Sequence, residues 1–437
     1  MKCRKCRLMW ITAGVAMLTA TAAGTIVAQT VSPVEQQIAA HVESRTAEAE
    51  ALLEQVVNLN SGTMNHAGVR ATGAIFQEAF EALGFTTRWI EMPDSVGRAG
   101  HLFAERVGTR GRRLLLIGHL DTVFEPGDPF QRFTREGSTA TGPGVADMKG
   151  GIVTMVHALE ALDAAGVLDG TTIRIALIGD EEFAGLPLEL SRGDLVAAAQ
   201  ESDIALGFEG GETGRAVVAR RGSSAWTLEV SGQQGHSSLI FGERFGSGAI
   251  FEAARILHRF HDEVRGPEYL TFNPGIILGG TDVSYDATDN RGASFGKTNV
   301  IAQRVVVDGG LRFISEEQKE TAREQMREIV ADHLPGTSAE VFFKDKYPAM
   351  PPTEANQALL ALLDQVSRDL GQGPVEAFDP AERGAADISF VAPYVDGLDG
   401  LGPFGSSAHT PGEQIDMLSL PEVTKRAALM IYRLTQE

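Results

Sequence analysis

A chain of 437 residues, 43% hydrophobic and 22% charged, is long enough to bury a sizeable core and is neither disordered nor fibrous. Its net charge of −20 disfavours nucleic acid and anionic membrane as partners. No run after residue 30 is long and apolar enough to span a bilayer.

At the start, Lys2, Arg4, Lys5 and Arg7 precede an apolar stretch from Leu8 to about Ala28, the pattern of a secretory signal cleaved after Ala22 or Ala28. An uncleaved signal anchor is the alternative reading. The body of the chain is therefore expected to be periplasmic or secreted, with no stable membrane partner once the signal is removed. Cys3 and Cys6 both fall in that segment, so the mature chain has no thiol. This removes a disulfide framework, a thiolate metal site and a cysteine nucleophile together. Any metal must be held by histidines and carboxylates.

Residues 34–57 carry helical spacing and end at Asn60-Ser61-Gly62; a second amphipathic helix is predicted over 67–83, closed by Gly84. Short apolar runs then alternate with helical ones: strand-like at 114–117, helical at 149–163, strand-like at 172–178, helical at 194–200, strand-like at 204–208. Such alternation predicts an α/β fold with a mostly parallel sheet flanked by helices. From Gly222 the pattern changes. A strand at 225–231, a helix at 247–264, strands at 275–279 and 299–313, a helix at 315–333 and a strand at 340–343 suggest an inserted α+β sandwich. The expected organisation is a signal at 1–28, a catalytic domain in two parts, 29–221 and 347–437, and an inserted lid or dimerisation domain at 222–346.

The chemistry-bearing residues fall at the ends of the predicted strands. Gly118-His119-Leu120-Asp121 closes the strand at 114–117, and two residues apart on extended backbone share a face. His119 can bind metal while Asp121 orients it through the other ring nitrogen. Gly142 to Gly151 is a glycine-rich loop that opens a helix. Its spacing misses the phosphate-binding pattern, and Asp147 at such a turn suits a carboxylate shared by two metals. Asp180-Glu181-Glu182 and Glu209 each follow a strand, the edge at which open α/β sheets bind ligands. Ser407-Ala408-His409-Thr410-Pro411-Gly412-Glu413 offers one more histidine. His41, His66, His101, His157, His258, His261 and His333 lack comparable context and read as surface or packing residues.

Together these motifs (Gly-His-x-Asp, Gly-x-x-Asp-Met-Lys-Gly-Gly, Asp-Glu-Glu and a late Ala-His-Thr) resemble the dinuclear zinc aminoacylase and carboxypeptidase family over about residues 34–437. That family includes glutamate carboxypeptidase, acetylornithine deacetylase and succinyl-diaminopimelate desuccinylase. The resemblance implies that His119 and Glu209 hold one zinc, Glu182 and His409 the other, and that Asp147 bridges them. Co2+ or Mn2+ could substitute. It implies Glu181 as the general base acting with a metal-bridging hydroxide, and Asp121 as the partner of His119. His236, in Gly235-His236-Ser237-Ser238, looks like the family's lid histidine, which acts in the partner subunit of a homodimer. Asn299 and Arg312 match substrate-contacting positions, Arg312 for a terminal carboxylate. The loop Arg383-Gly384-Ala385-Ala386-Asp387 looks like the family's pocket loop. Two departures, Ala302 where the family often has Pro and Gly310 where it often has Asp, touch the substrate pocket alone.

The implied activity is amide hydrolysis beside a free carboxylate, of the glutamate carboxypeptidase type, on a small peptide. The same dinuclear site would serve an N-acyl-amino-acid deacylase or a dipeptidase. Two readings come from other classes: a non-catalytic periplasmic solute-binding protein, and a serine acyl-enzyme using Ser294 of Ser294-Phe295-Gly296-Lys297.

Overall fold

Strand Arg110–His119 is the axis of the molecule. In the computed structural model, which describes residues 31–436, its side chains alternate between two cores. Leu114 and Leu116 face a large core shared with helices Pro33–Ser44, Thr46–Val57, Gly150–Ala164 and Ser419–Leu434. Leu115 and Ile117 face the other side, packed with Leu195, Ala199, Ile388 and Val391. A strand buried on both faces must be nearly all apolar, as the run Leu114-Leu115-Leu116-Ile117 is.

This strand lies in a six-stranded sheet whose order is Thr86–Ile90, His101–Arg106, Thr171–Ile178, Arg110–His119, Ile204–Gly207, Asp396–Leu398. The last four run parallel, and the first two form an antiparallel edge. The expected mostly parallel, helix-flanked sheet is found; its antiparallel edge strands escaped the pattern because Thr, Arg and Glu interrupt their apolar alternation. Register decides function here. His119 pairs with Ile178 and Ile117 with Gly207, so the chain leaves three neighbouring strands at one common rim.

A second sheet, wholly antiparallel, runs in the order Thr271–Gly280, Arg304–Phe313, Gly222–Gly232, Thr337–Asp345. Helices Gly248–Arg259 and Glu316–Ala331 cover one face around Trp226, Leu228, Val307 and Met326. The crossing between the two sheets is made by residues 220–223 and 346–350, joined by main-chain bonds between Arg220 and Met350 and from Ser223 to Tyr347.

Local departures from the sequence pattern have identifiable causes. The run 34–57 is two helices broken at Arg45, where the Ser44 and Thr46 hydroxyls bond back to the His41 and Glu43 carbonyls. The strand expected over 299–313 begins only at Arg304, because Asn299 to Ile301 pair with the loop Gly235–Ser237. An unforeseen hairpin, Asp282–Asp286 with Arg291–Phe295, carries Ser294 exposed on its second strand. The predicted signal at 1–28 lies outside the described residues. Among those described, no helix is long and apolar enough to cross a membrane.

Helix Gly150–Ala164 crosses so close to the strand end before Glu209 that a Cβ on Gly151 would sit 1.8 Å from the Phe208 carbonyl oxygen. Gly151→Ala should therefore cost about 1–3 kcal/mol of stability, as overpacking does. Urea unfolding of the chelated protein reads this directly.

Candidate metal centre and cleft

Three strand ends and two loops deliver six side chains to the rim. From the first strand, His119 is buried, with Nδ1 3.0 Å from the main-chain oxygen of Asp121 and 3.5 Å from its carboxylate. That leaves Nε2 facing outward, 3.0 Å from Asp147 Oδ1 and 3.7 Å from Glu209 Oε1. The His409 ring meets the same Asp147 from the other side, its Nε2 3.2 Å from Oδ2 and 2.9 Å from Glu182 Oε2. Asp147 thus offers one oxygen to each imidazole. Two donor triads result, His119–Asp147–Glu209 and Asp147–Glu182–His409, each with its ligand atoms within 4.8 Å of one another.

The loops that carry these groups are pinned from beneath. Glu413 accepts the main-chain N–H groups of Gly144, Ala146 and Asp147 at 3.2, 2.8 and 3.0 Å. Lys149 is fully buried and donates to the Val56 and Leu59 carbonyls; burial pushes its amine down to about 7. Asp121, also fully buried, accepts from Thr63 and from the main-chain N–H groups of both Glu181 and Glu182. Its role therefore extends beyond His119 to the whole Glu181-Glu182 turn. Ser407 and His409 hold left-handed backbone, with φ of 61° and 63°, a conformation unfavourable for residues with a Cβ.

The electrostatics favour an added cation. Burial, then the charge of Asp147, pushes the Glu209 carboxyl up to about 8. Burial also raises Glu182, and raises Glu181 well above the carboxylate range. Hydrogen bonds to Asp147 and Glu182 push His409 up to about 11. Burial works against a charged His119, but the surrounding carboxylates outweigh it and raise the ring well above its ordinary value. The rim holds protons where metal ligands must hold none, so divalent ions and protons compete for it. Each triad supplies one imidazole nitrogen and two carboxylate oxygens, a donor set that suits divalent transition metals.

Residues 115–433 match Peptidase family M20/M25/M40. The chain belongs to this family. Carboxypeptidase G2 from a Pseudomonas species is 27% identical over 424 residues, covering 95% of both chains. A succinyl-diaminopimelate desuccinylase from Granulibacter bethesdensis is 28% identical over 399 residues, covering 86% of this chain and 94% of its own. Among solved structures, aminopeptidase PepT from Bacillus cereus superposes with a TM-score of 0.68 at 17% identity, covering 89% of this chain and 98% of its own. An M20 family metallo-carboxypeptidase from Sulfolobus solfataricus gives 0.63 at 15%, covering 89% and 99%. The protein is a metal-dependent peptidase or amidohydrolase, which displaces the solute-binding reading. Ser294, on its exposed hairpin, is not among the residues that line the cleft beside the metal triads.

That cleft, about 240 Å3, is lined by Asp147, Glu181, Glu209, His409 and the loop containing Gly384. The other residues inferred for substrate lie apart from it. His236 is exposed and bonds to Ser238, next to the Asn299 loop, and Arg312 projects from the antiparallel sheet. Among the described residues no hydrogen bond or ion pair links any of the three to the metal triads.

Several supporting groups left no motif. Tyr347, at the crossing between the sheets, donates to the main-chain oxygen of Glu181 at 2.7 Å. Arg192 joins Asp180 to Asp387 through bonds of 2.6 and 2.7 Å, locking the residue before Glu181 to the pocket loop. His101 is buried, its Nδ1 accepting from Gly179 N–H and its Nε2 reaching the Ser191 carbonyl oxygen. It braces the same turn, so it is more than a packing residue. Their partners lie between 12 and 195 residues away, and no local motif records such pairings.

Because Glu209 titrates near 8 rather than 4.5, the metal-free folded chain binds protons that the unfolded chain releases between those values. His409, raised from 6.5 to about 11, adds the same sign above pH 6.5. Stability of the chelated protein should fall as pH rises from 5 to 9, and metal should reverse the trend. Thermal unfolding across that range checks both statements, and calorimetry in buffers of different ionisation enthalpy should register proton release on metal binding.

Proposed function

We propose that the protein is an exported, zinc-dependent hydrolase that cleaves an amide bond next to a free carboxylate, in the manner of a carboxypeptidase. The observation that carries this reading is Glu181: it belongs to neither donor triad, yet it faces the same cleft beside its ligand neighbour Glu182. Zinc ions held by His119, Asp147, Glu209, Glu182 and His409 would supply Lewis acidity at the scissile carbonyl and lower the pKa of water. Zinc is favoured by the mixed imidazole and carboxylate donors, and Co2+ or Mn2+ would be accommodated by the same set.

The protein's own steps then follow. Glu181, kept basic at neutral pH once cations occupy the rim, takes a proton from the attacking water as its oxygen adds to the amide carbon. The same carboxyl delivers that proton to the departing nitrogen as the C–N bond breaks. Asp121 holds the Glu181 and Glu182 main chain in place for this exchange. Arg312 receives the free carboxylate, and Gly384 leaves room in the pocket loop for the substrate backbone. Asn299 and His236 of the partner subunit complete the site, His236 donating to the developing oxyanion. Support for a trans role comes from the exposure of His236 and its lack of contact with the triads of its own chain. In this reading, residues 222–346 form the lid and dimerisation domain between the two catalytic segments 29–221 and 347–437.

A second reading keeps the site and changes the substrate to an N-acyl amino acid. It is favoured by the similarity to a desuccinylase over nearly that enzyme's full length. Export rests on the basic and apolar pattern of residues 1–28, and places the enzyme in the periplasm or outside the cell, where small peptides and acylated amino acids are available.

Turnover of N-blocked dipeptides, free dipeptides and N-acyl amino acids, each with and without chelator, separates these readings. Chelator-sensitive release of a C-terminal residue from blocked dipeptides is expected. Glu181→Gln should keep its metal content yet lose about 10²–10⁴ in kcat, the range of general base catalysis. Survival of activity in that variant would show that the proton goes elsewhere.

Mixing His236→Ala with Glu181→Gln subunits should restore roughly a quarter of the sites if a two-fold dimer shares them. No recovery on mixing would mean that His236 acts within its own chain.

A further inference from the structure

The two sheets meet at two crossing segments, and one of these touches the proposed base. Tyr347 stands two residues past the end of strand Thr337–Asp345. Its carbonyl accepts from Ser223 N–H at 2.8 Å, and the Lys346 N–H before it donates to the Ser223 carbonyl at 3.2 Å. Ser223 lies in strand Gly222–Gly232, so the main chain of Tyr347 is fixed to the antiparallel sheet. Its side chain reaches the metal rim instead, where the hydroxyl donates to the Glu181 carbonyl at 2.7 Å.

That carbonyl belongs to the peptide unit joining Glu181 to Glu182. The N–H of the same unit donates to Asp121 Oδ2 at 3.1 Å. In a planar trans peptide the C=O and N–H point to opposite sides, so Tyr347 and Asp121 hold one unit between them. Among the described residues no main-chain N–H bonds to the Glu181 carbonyl. Without the hydroxyl the unit would be held at its N–H end alone. The torsions on either side of it set how the Glu181 side chain lies relative to that of Glu182.

The phenol has a firm seat. Its ring packs on Phe390 with centroids 4.9 Å apart, and Phe390 in turn lies under the Arg192 guanidinium at 5.4 Å. Burial, then the charge of Glu181, raises the hydroxyl above its ordinary value, so it stays protonated and available as a donor. The other crossing segment has an indirect counterpart. There Arg220 bonds to Asp399 at 2.7 Å, and Asp399 accepts the Glu209 N–H at 3.4 Å.

We infer that Tyr347 is a positioning residue: from the antiparallel sheet, it holds the Glu181–Glu182 peptide so that Glu181 is aimed at the attacking water while Glu182 stays on its metal. This rests on the reading of Glu181 as general base. The placement of the second sheet is thereby felt at the base through one hydroxyl. Small errors of aim cost a reaction heavily, about 10²-fold for 1 Å. Tyr347 is not among the residues that line the cleft, so its loss should fall on turnover and spare substrate binding.

Tyr347→Phe keeps the ring on Phe390 and removes the one bond. The substrate for the test is whichever of the blocked dipeptides, free dipeptides or N-acyl amino acids wild type turns over fastest. Zinc-loaded Tyr347→Phe should retain its metal and keep KM within about twofold, while kcat falls about 10-fold, the size expected of one buried hydrogen bond. Hydrogen exchange read by mass spectrometry should show the amides of 181–183 exchanging roughly 10-fold faster, with those of 114–118 unchanged. Added to Glu181→Gln, the same change should cost less than about twofold, because a residue acting through the base has nothing further to lose once the base is gone. Wild-type kcat in Tyr347→Phe, or unaltered exchange at 181–183, overturns the inference. So does loss of metal from that variant, or an undiminished kcat penalty in the Glu181→Gln background. Full activity of Glu181→Gln would strike the base reading and this inference together, whereas an inactive Glu181→Gln beside an unimpaired Tyr347→Phe would strike this inference alone.

Discussion

Repulsion among half-buried carboxylates is the constraint around which this molecule is built. Asp147, Glu181, Glu182 and Glu209 converge at one rim, and no Arg or Lys among the described residues forms an ion pair with any of them. The groups that hold their loops are themselves anions: Asp121 beneath the Glu181-Glu182 turn, Glu413 beneath the Asp147 loop, and Asp399, which accepts from Glu209 N–H. A carboxylate that accepts main-chain N–H bonds fixes a loop firmly, and here it also deepens the negative potential above it. Such a rim is a poor place for an isolated proton donor and a good one for divalent cations.

The protein's buried cations are spent one layer further out. Arg192 ties Asp180 to Asp387, Arg220 ties Asp399 to the pocket loop, and Lys149 caps carbonyls at the end of the second helix. Arg220 neutralises one supporting acid, Asp399, and Arg192 neutralises Asp180 and Asp387, while the acids of the two triads stay open. This division explains how one sheet edge can be rigid and still carry unpaired charge.

Much of the site was legible in one sequence. His119, Asp121, Asp147, Glu181, Glu182, Glu209 and His409 are short-range features: each follows an apolar run or sits in a glycine-rich loop, and the ends of parallel strands are where such a sheet presents polar side chains to a ligand. The parallel sheet was legible for the same reason, since strands buried on both faces become uninterrupted apolar runs. Edge strands and the hairpin at 282–295 were not, because half-exposed strands mix polar and apolar residues freely. The break at Arg45 depends on two hydroxyl-to-carbonyl bonds that compete with the helix, a choice that periodicity does not record.

The sequence by itself determined which chemistry the rim can perform, since the residue types and their strand-end positions set the donor atoms. Only the tertiary structure decided how those atoms are shared. Asp147 turns one oxygen to His119 and the other to His409 because Glu413, 266 residues away in the chain, grips its main chain. Tyr347 and Arg383 likewise acquire meaning only through contacts with Glu181 and Gly210, more than 160 residues distant. Local backbone preference can place a carboxylate at a turn. Its aim depends on hydrogen bonds whose partners meet only when the sheet has closed.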